Sequence, residues 1–430
     1  EAFYHAKDSL EAEELCEWFI SVSDPFNRAA FWQLITPMYE EMLQILESKL
    51  SPQHPYVATT LDNLAGLYKS TGEYEKALPL FQRALDIREN IMDPQHPDIA
   101  STLNGLAELY RMMGHYDKAF PLYQNIFDIY ERMLSPQHPE VAMALNDLAL
   151  LYSEMGHYDK ALSLYQRTLE IVEKVMGPQH QYVATVLDNL ALLYSQMGCY
   201  DKALPLYQRA LDINEKVLSP QHPDIEPALN NLAGLYHYLG EYEKSLQLYQ
   251  RTLEIIEKFQ GSQHPYFAIT LNNIGGLYAS RGNYERSLQY YKRALDIHEN
   301  VLGSQRPDVA ATLNNIGLLY NNIGYYEKSL PFYQKALKIL EDSLGPEHPD
   351  VAVTLNNLAI FYSNMGKYEE ALPIFERAVD IIEKKLGLNH PYFVQSMSNM
   401  ISASGNLVNE WSQYYSFYGI IYFDTDNKIF

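Results

Sequence analysis

The sequence predicts an all-α solenoid of antiparallel helix pairs, and three observations predict it. The first is a period: His54, His96, His138, His180, His222, His264, His348 and His390 fall on one 42-residue comb whose vacant tooth is Arg306. The second is the apolar spacing inside each period. Leu229, Leu232, Ala233 and Tyr236 recur at i, i+3, i+4, i+7, and Ala203, Leu204, Tyr207, Ala210 and Leu211 do the same, which is the stripe of a helix with one buried face. The third is a glycine column, Gly72, Gly114, Gly156, Gly198, Gly240, Gly282, Gly324 and Gly366, placed where a left-handed residue ends a helix. A fixed period overrides the domain count that 430 residues would suggest, because repeats stack into one elongated body.

In chain order, residues 1–56 form a degenerate helical unit, in which 37–50, "PMYEEMLQILESKL", aligns with the second helix of a repeat and caps the array. Eight units across 57–386 then read as helix, tight turn, longer helix and link. In one of them Pro97 takes the first helical position, where a missing N–H costs nothing, and Asp98 complements the positive end of the dipole. That helix runs to about Met112, and its longer partner from Tyr116 to about Leu134. Ala77, Ala119, Ala161 and Ala203, replaced further on by Ser245, Ser287 and Ser329, mark where two helices approach closely and a neighbour's ring fills the gap. The aromatic columns that start at Tyr68, Tyr74 and Phe81 are core by the same spacing, and not a base-stacking surface. Pro227, the fifth residue of its helix after Pro223, removes a backbone donor and predicts a slight kink. In 387–430, Tyr392 to Ala403 reads as a lone ninth first helix. The closing "WSQYYSFYGIIYFDTDNKIF" fits neither helix; it reads as a packed cap, the start of a neighbouring domain or a strand-forming tail.

Composition narrows the partners. With 32 Lys plus Arg against 54 Asp plus Glu, the formal charge is -22, which opposes binding to phosphate backbones and anionic membranes. Nucleic acid is excluded as a partner, and no apolar run is long enough for membrane insertion. Two cysteines, Cys16 and Cys199, stand far apart with no metal-ligand neighbourhood, consistent with a reducing, cytoplasmic setting. The chain starts at Glu1, which leaves room for a longer parent protein. The histidine comb is not a metal ladder, since its members lie a whole repeat apart while zinc ligands converge on one ion. No cofactor fingerprint and no singular nucleophile with a base beside it is present, so the segment is read as non-enzymatic.

The segment "LNNLAGLY…GEYEKSLQLYQRTLEI" resembles the tetratricopeptide repeat, supplying its Leu, Leu-Ala, Tyr, Gly-x-Tyr, Ala/Ser and Tyr positions. The period of 42 in place of the family's usual 34 is similar to that of kinesin light chain and nephrocystin-3-like arrays. The resemblance covers about three quarters of the chain and implies a right-handed superhelix that binds protein or peptide partners on its concave face.

Within that resemblance the polar pair "NN" matters most. Asparagine is a mediocre helix former, so something other than propensity rewards it. The second member of the pair, Asn63, Asn189, Asn231, Asn273, Asn315 and Asn357, resembles the residue with which the family clamps a peptide backbone, an amide offering donor and acceptor together. Gly105 and Asp147 interrupt the column. The first member, Asn230, Asn272, Asn314 and Asn356, is expected on the same wall, with Leu192, Leu318 and Ile360 one turn further on. The alternative is that these amides bond from repeat to repeat and fix the superhelix. Departures from kinesin light chain are a wall with little basic charge beyond Lys69 and Arg111, and no heptad segment. The functional expectation is an interaction scaffold; a regulatory arm of a larger protease or NTPase and a structural spacer are the alternatives.

Overall fold

The computed structural model describes residues 2–28, 31–93, 96–388 and 390–405. The first helices of the eight repeats are Pro55–Ser70 (α4), Pro97–Met112 (α6), Pro139–Glu154 (α8), Gln181–Gln196 (α10), Glu226–Tyr238 (α12), Pro265–Ser280 (α14), Pro307–Asn322 (α16) and Pro349–Asn364 (α18). Their partners are Tyr74–Ile91 (α5), Tyr116–Met133 (α7), Tyr158–Met176 (α9), Tyr200–Leu218 (α11), Tyr242–Phe259 (α13), Tyr284–Val301 (α15), Tyr326–Leu344 (α17) and Tyr368–Leu386 (α19). Each helix packs on its partner and each second helix on the next first helix, so the core runs along the array.

Local chemistry explains the boundaries. Each comb histidine precedes its helix with an extended backbone, and its Nδ1 accepts the N–H two residues on: Tyr56 at 3.3 Å from His54, Tyr182 at 3.1 Å from His180, Asp350 at 3.1 Å from His348. The comb is therefore a column of N-caps, each satisfying one orphan donor of its helix. Arg306, which has no acceptor to offer, makes no such bond. At the other end Gly114 adopts φ +66°, and the N–H of His115 returns to the Tyr110 carbonyl at 2.8 Å, the backbone reversal that only glycine makes without strain. Ala77, Ala119, Ala161 and Ala203 are fully buried between the paired helices. At two of the three serine positions the hydroxyl finds a carbonyl, Ser245 Oγ donating to Ala233 at 2.8 Å and Ser329 Oγ to Gly317 at 2.7 Å, whereas Ser287 Oγ makes no such bond.

Three expectations are corrected or extended. The N-terminal unit holds Ala2–Ser9 (α1), Ala12–Arg28 (α2) and Trp32–Lys49 (α3), so its last helix begins before Pro37 and two further helices precede it. Pro227 does not kink a continuous helix. A 3-10 turn over Pro223–Ile225 is followed by a new helix at Glu226, which puts Pro227 in a first turn where its missing donor is harmless. The ninth first helix is Pro391–Ser404 (α20), and the aromatic stretch 411–430 lies outside the described residues.

The superhelix also meets itself. Arg306 Nη2 donates to the Ser70 carbonyl at 3.1 Å and His348 Nε2 to the Met112 carbonyl at 3.2 Å, each across 236 residues. At 42 residues per repeat, one superhelical turn thus takes between five and six repeats.

Candidate peptide groove

The first helices of neighbouring repeats touch one another and form the inner wall. A cavity of about 400 Å³ opens on this wall, bringing together Leu192, Asn230, Asn231, Asn272, Asn273 and Asn315 of the predicted set. Asn189, Asn314, Asn356, Asn357, Leu318 and Ile360 continue the same columns outside the cavity. A larger cavity, about 680 Å³, lies elsewhere, where α3 meets the links at 260–264 and 302–306 around Trp32, Gln33, Gln263 and Arg306. It belongs to the contact between superhelical turns and has none of the asparagines.

Most of the asparagine pairs form a ladder. Asn189 Nδ2 donates to Asn146 Oδ1 at 3.0 Å, Asn315 to Asn272 at 3.3 Å, Asn357 to Asn314 at 3.3 Å and Asn399 to Asn356 at 3.2 Å, always 43 residues apart. Two turns along, Ser153 to Gln196 and Asn364 to Asn321 repeat the step. The repeat-to-repeat role is thus real for these residues. It uses one of an amide's two donors, or one of its acceptor sites, and leaves the rest of the group available. Asn230 instead bonds Thr270 at 3.2 Å. Asn231 and Asn273, in the cavity, have no side-chain partner among the described residues, and neither amide is sealed from solvent.

The floor holds residues that the sequence reading assigned to the core alone. Tyr207, Tyr249 and Tyr291 are buried as expected, yet they also line the cavity. A Cβ on Gly234 would lie 3.7 Å from the Tyr249 hydroxyl, and one on Gly276 3.5 Å from that of Tyr291. Glycine gaps in the first helix therefore admit phenol oxygens from the second. The available signal was the coincidence of Gly234 and Gly276 with a tyrosine column.

Charge on this wall is largely cancelled. Lys69 pairs with Glu108 and Arg111 with Glu154, so neither expected cation is free. Asp188 stands where other repeats carry the first asparagine, and burial pushes its carboxyl up to about 8. Burial likewise raises Asp147 to about 6, against the stabilising Asn146 amide. His237, bonded to Ser280 at 2.8 Å, is held below its ordinary value by burial. Around the cavity, at neutral pH, the wall presents amides, hydroxyls and short aliphatics.

The family model described as tetratricopeptide repeat matches residues 27–90, 98–174, 155–216, 182–258, 224–300, 266–342, 308–384 and 350–400, and a second of the same kind matches 59–128. Among solved structures, a Rap protein complexed with competence and sporulation factor is 16% identical, covering 77% of this chain and 99% of its own, at a TM-score of 0.52. Aspartyl phosphate phosphatase F from Bacillus subtilis is 16% identical over 71% of this chain and 76% of its own, also at 0.52. A putative kinesin light chain of nearly identical TPR-like repeats from Podosopora anserina is 24% identical over 48% of this chain and 98% of its own, at 0.39. No curated protein matches the chain. The described helices include none long and apolar enough to cross a membrane.

Proposed function

Because the chain belongs to the tetratricopeptide repeat family, we propose that it is a protein-interaction scaffold whose groove across repeats four to seven holds an extended peptide. The observation that carries this reading is the pair of free amides, Asn231 and Asn273, side by side over a floor of tyrosine hydroxyls. An amide with donor and acceptor unspent matches the alternating polarity of a peptide backbone. Glycine gaps and Leu192 leave room for small or apolar side chains, and contacts from successive repeats add along one ligand. The role is binding and not chemistry. With Lys69 and Arg111 already paired, the wall favours neutral peptides over the acidic cargo segments that a motor adaptor would take.

The test is a peptide array probed with the wild type, with Asn231→Ala/Asn273→Ala, and with Asn357→Ala, a laddered residue outside the cavity. Folding of each is checked by circular dichroism. Peptides kept by the wild type and by Asn357→Ala but lost by the double variant support the groove. Retention of the same peptides by a folded double variant overturns it.

A further inference from the structure

Each repeat of the superhelix has a turn edge, at the glycine between its helices, and a link edge, at the comb residue. Inside the chain these edges meet three times in succession. The Arg306 guanidinium lies over Gly72 and bonds the Ser70 carbonyl. His348 lies over Gly114 with Nε2 on the Met112 carbonyl, and His390 Cδ2 comes within 2.9 Å of where a Cβ on Gly156 would be. Arg306 and His348 thus cap the carbonyl end of a first helix one superhelical turn away, a place where donors and positive charge are favoured, while His390 packs over the third turn. Apolar contacts seal the seam: Met112, Met113 and Tyr116 pack into the core shared by the two turns.

Both edges continue beyond these contacts, uncovered. Gly198, Gly240, Gly282, Gly324 and Gly366 keep the same positive φ, but among the described residues a Cβ on any of them would meet nothing within 4 Å. Large apolar side chains stand open beside them, Tyr238 at 75% and Tyr325 at 58% exposure, with Leu239, Tyr284 and Met365. On the link edge, His96, His138, His180 and His222 are exposed or half-buried, while His264, Arg306, His348 and His390 are buried. Because each Nδ1 accepts from its own helix, the neutral ring carries its proton on Nε2, the atom that His348 uses in the seam.

We infer that a second copy of this chain seats its link edge on this turn edge, so that the seam within one molecule is repeated between molecules. The observation that selects this occupant is continuity: the free teeth and the free turns have the period and chemistry of the contacts already formed. Such a contact joins unlike surfaces and leaves one edge of each kind free at the ends, so it does not close at two copies but grows. The net charge of -22 opposes association at long range, and added salt therefore strengthens it by screening.

Sedimentation velocity on the full chain across a wide concentration range tests this, with two variants. Tyr238→Glu/Tyr325→Glu places carboxylates on the turn edge. His138→Asn/His180→Asn/His222→Asn removes the Nε2 donors while keeping a good N-cap. Neither variant touches Arg306, His348 or His390. For the wild type the mass rises with concentration without a plateau, and each variant alone associates roughly tenfold or more weakly, the scale expected for loss of central contacts. Mixed, the two variants have one intact edge apiece and form a complex that stops at two copies. A wild type that stays monomeric throughout, variants that associate like the wild type, or a mixture that does not pair would each overturn the proposal.

Discussion

The turns of the first three repeats and those of the last five have the same glycine in the same conformation, and only their neighbours differ. Gly72, Gly114 and Gly156 lie under Arg306, His348 and His390; Gly198, Gly240, Gly282, Gly324 and Gly366 meet no neighbour among the described residues. The inner wall divides at nearly the same place. Early repeats carry charged pairs, Lys69 with Glu108 and Arg111 with Glu154, and a buried Arg88 to Asp62 contact. Later ones carry the asparagine ladder and the cavity. Residues that are equivalent in the repeat are thus not equivalent in the molecule, because a solenoid that turns back on itself gives each copy a different surrounding.

Acidification should break this contrast most strongly. Burial lowers His390 to about 4 from 6.5 and also lowers His348, which has Asp350 and Lys385 as charged neighbours. A histidine whose folded value is depressed is neutral in the native state while the unfolded chain already binds a proton. Stability is therefore full above 6.5 and falls as pH drops toward 4, by on the order of 3 kcal/mol for His390 at 1.36 kcal/mol per unit. Hydrogen exchange read regionally should show residues 109–116, under His348, and 151–158, under His390, losing protection across that window while 319–326, an open turn without a histidine, keep theirs. Equal loss in all three would mean that the seam is not where the protons act.

A smaller effect separates two glycines. Gly114→Ala and Gly282→Ala both force a side chain into positive φ, at about 1 kcal/mol. Only at residue 114 would the new Cβ press on His348 and Pro349, at 2.9 Å, adding about 1–2 kcal/mol of overpacking. Denaturant midpoints that shift equally would remove the distinction between covered and open turns.

The smallest expected change concerns the ladder. Asn356→Ala removes the acceptor of Asn399 and should cost about 1 kcal/mol. Asn273→Ala, with no side-chain partner to lose among the described residues, should be nearly neutral for stability while weakening peptide binding. A large loss of melting temperature for Asn273→Ala would move that residue from the groove to the framework.

Much of this was legible in the chain itself. The second repeat's helices were placed within a residue of their observed ends, Pro97–Met112 and Tyr116–Met133, because His-Pro starts and glycine stops are local events. Pro227 was misread: a proline five residues into a helical pattern looks like a kink, and the chain instead made a 3-10 turn and began its helix later. The asparagine column was recognised and bonding from repeat to repeat was one of its two readings, but which amides pair and which stay open was not legible, since a bond across 43 residues depends on how much each repeat rotates against the next. The tyrosine hydroxyls under Gly234 and Gly276 were hidden for the same reason.

By itself, then, the sequence determined the helix pairs, their caps, the period and the faces that pack, all set by interactions within one repeat or between adjacent ones. Tertiary structure alone decided which comb teeth are buried, why Arg306 sits at the tooth above Gly72, which amides remain free, and which edges stay open. Small rotations per repeat accumulate over 236 residues into a contact between turns, and no local pattern encodes that sum.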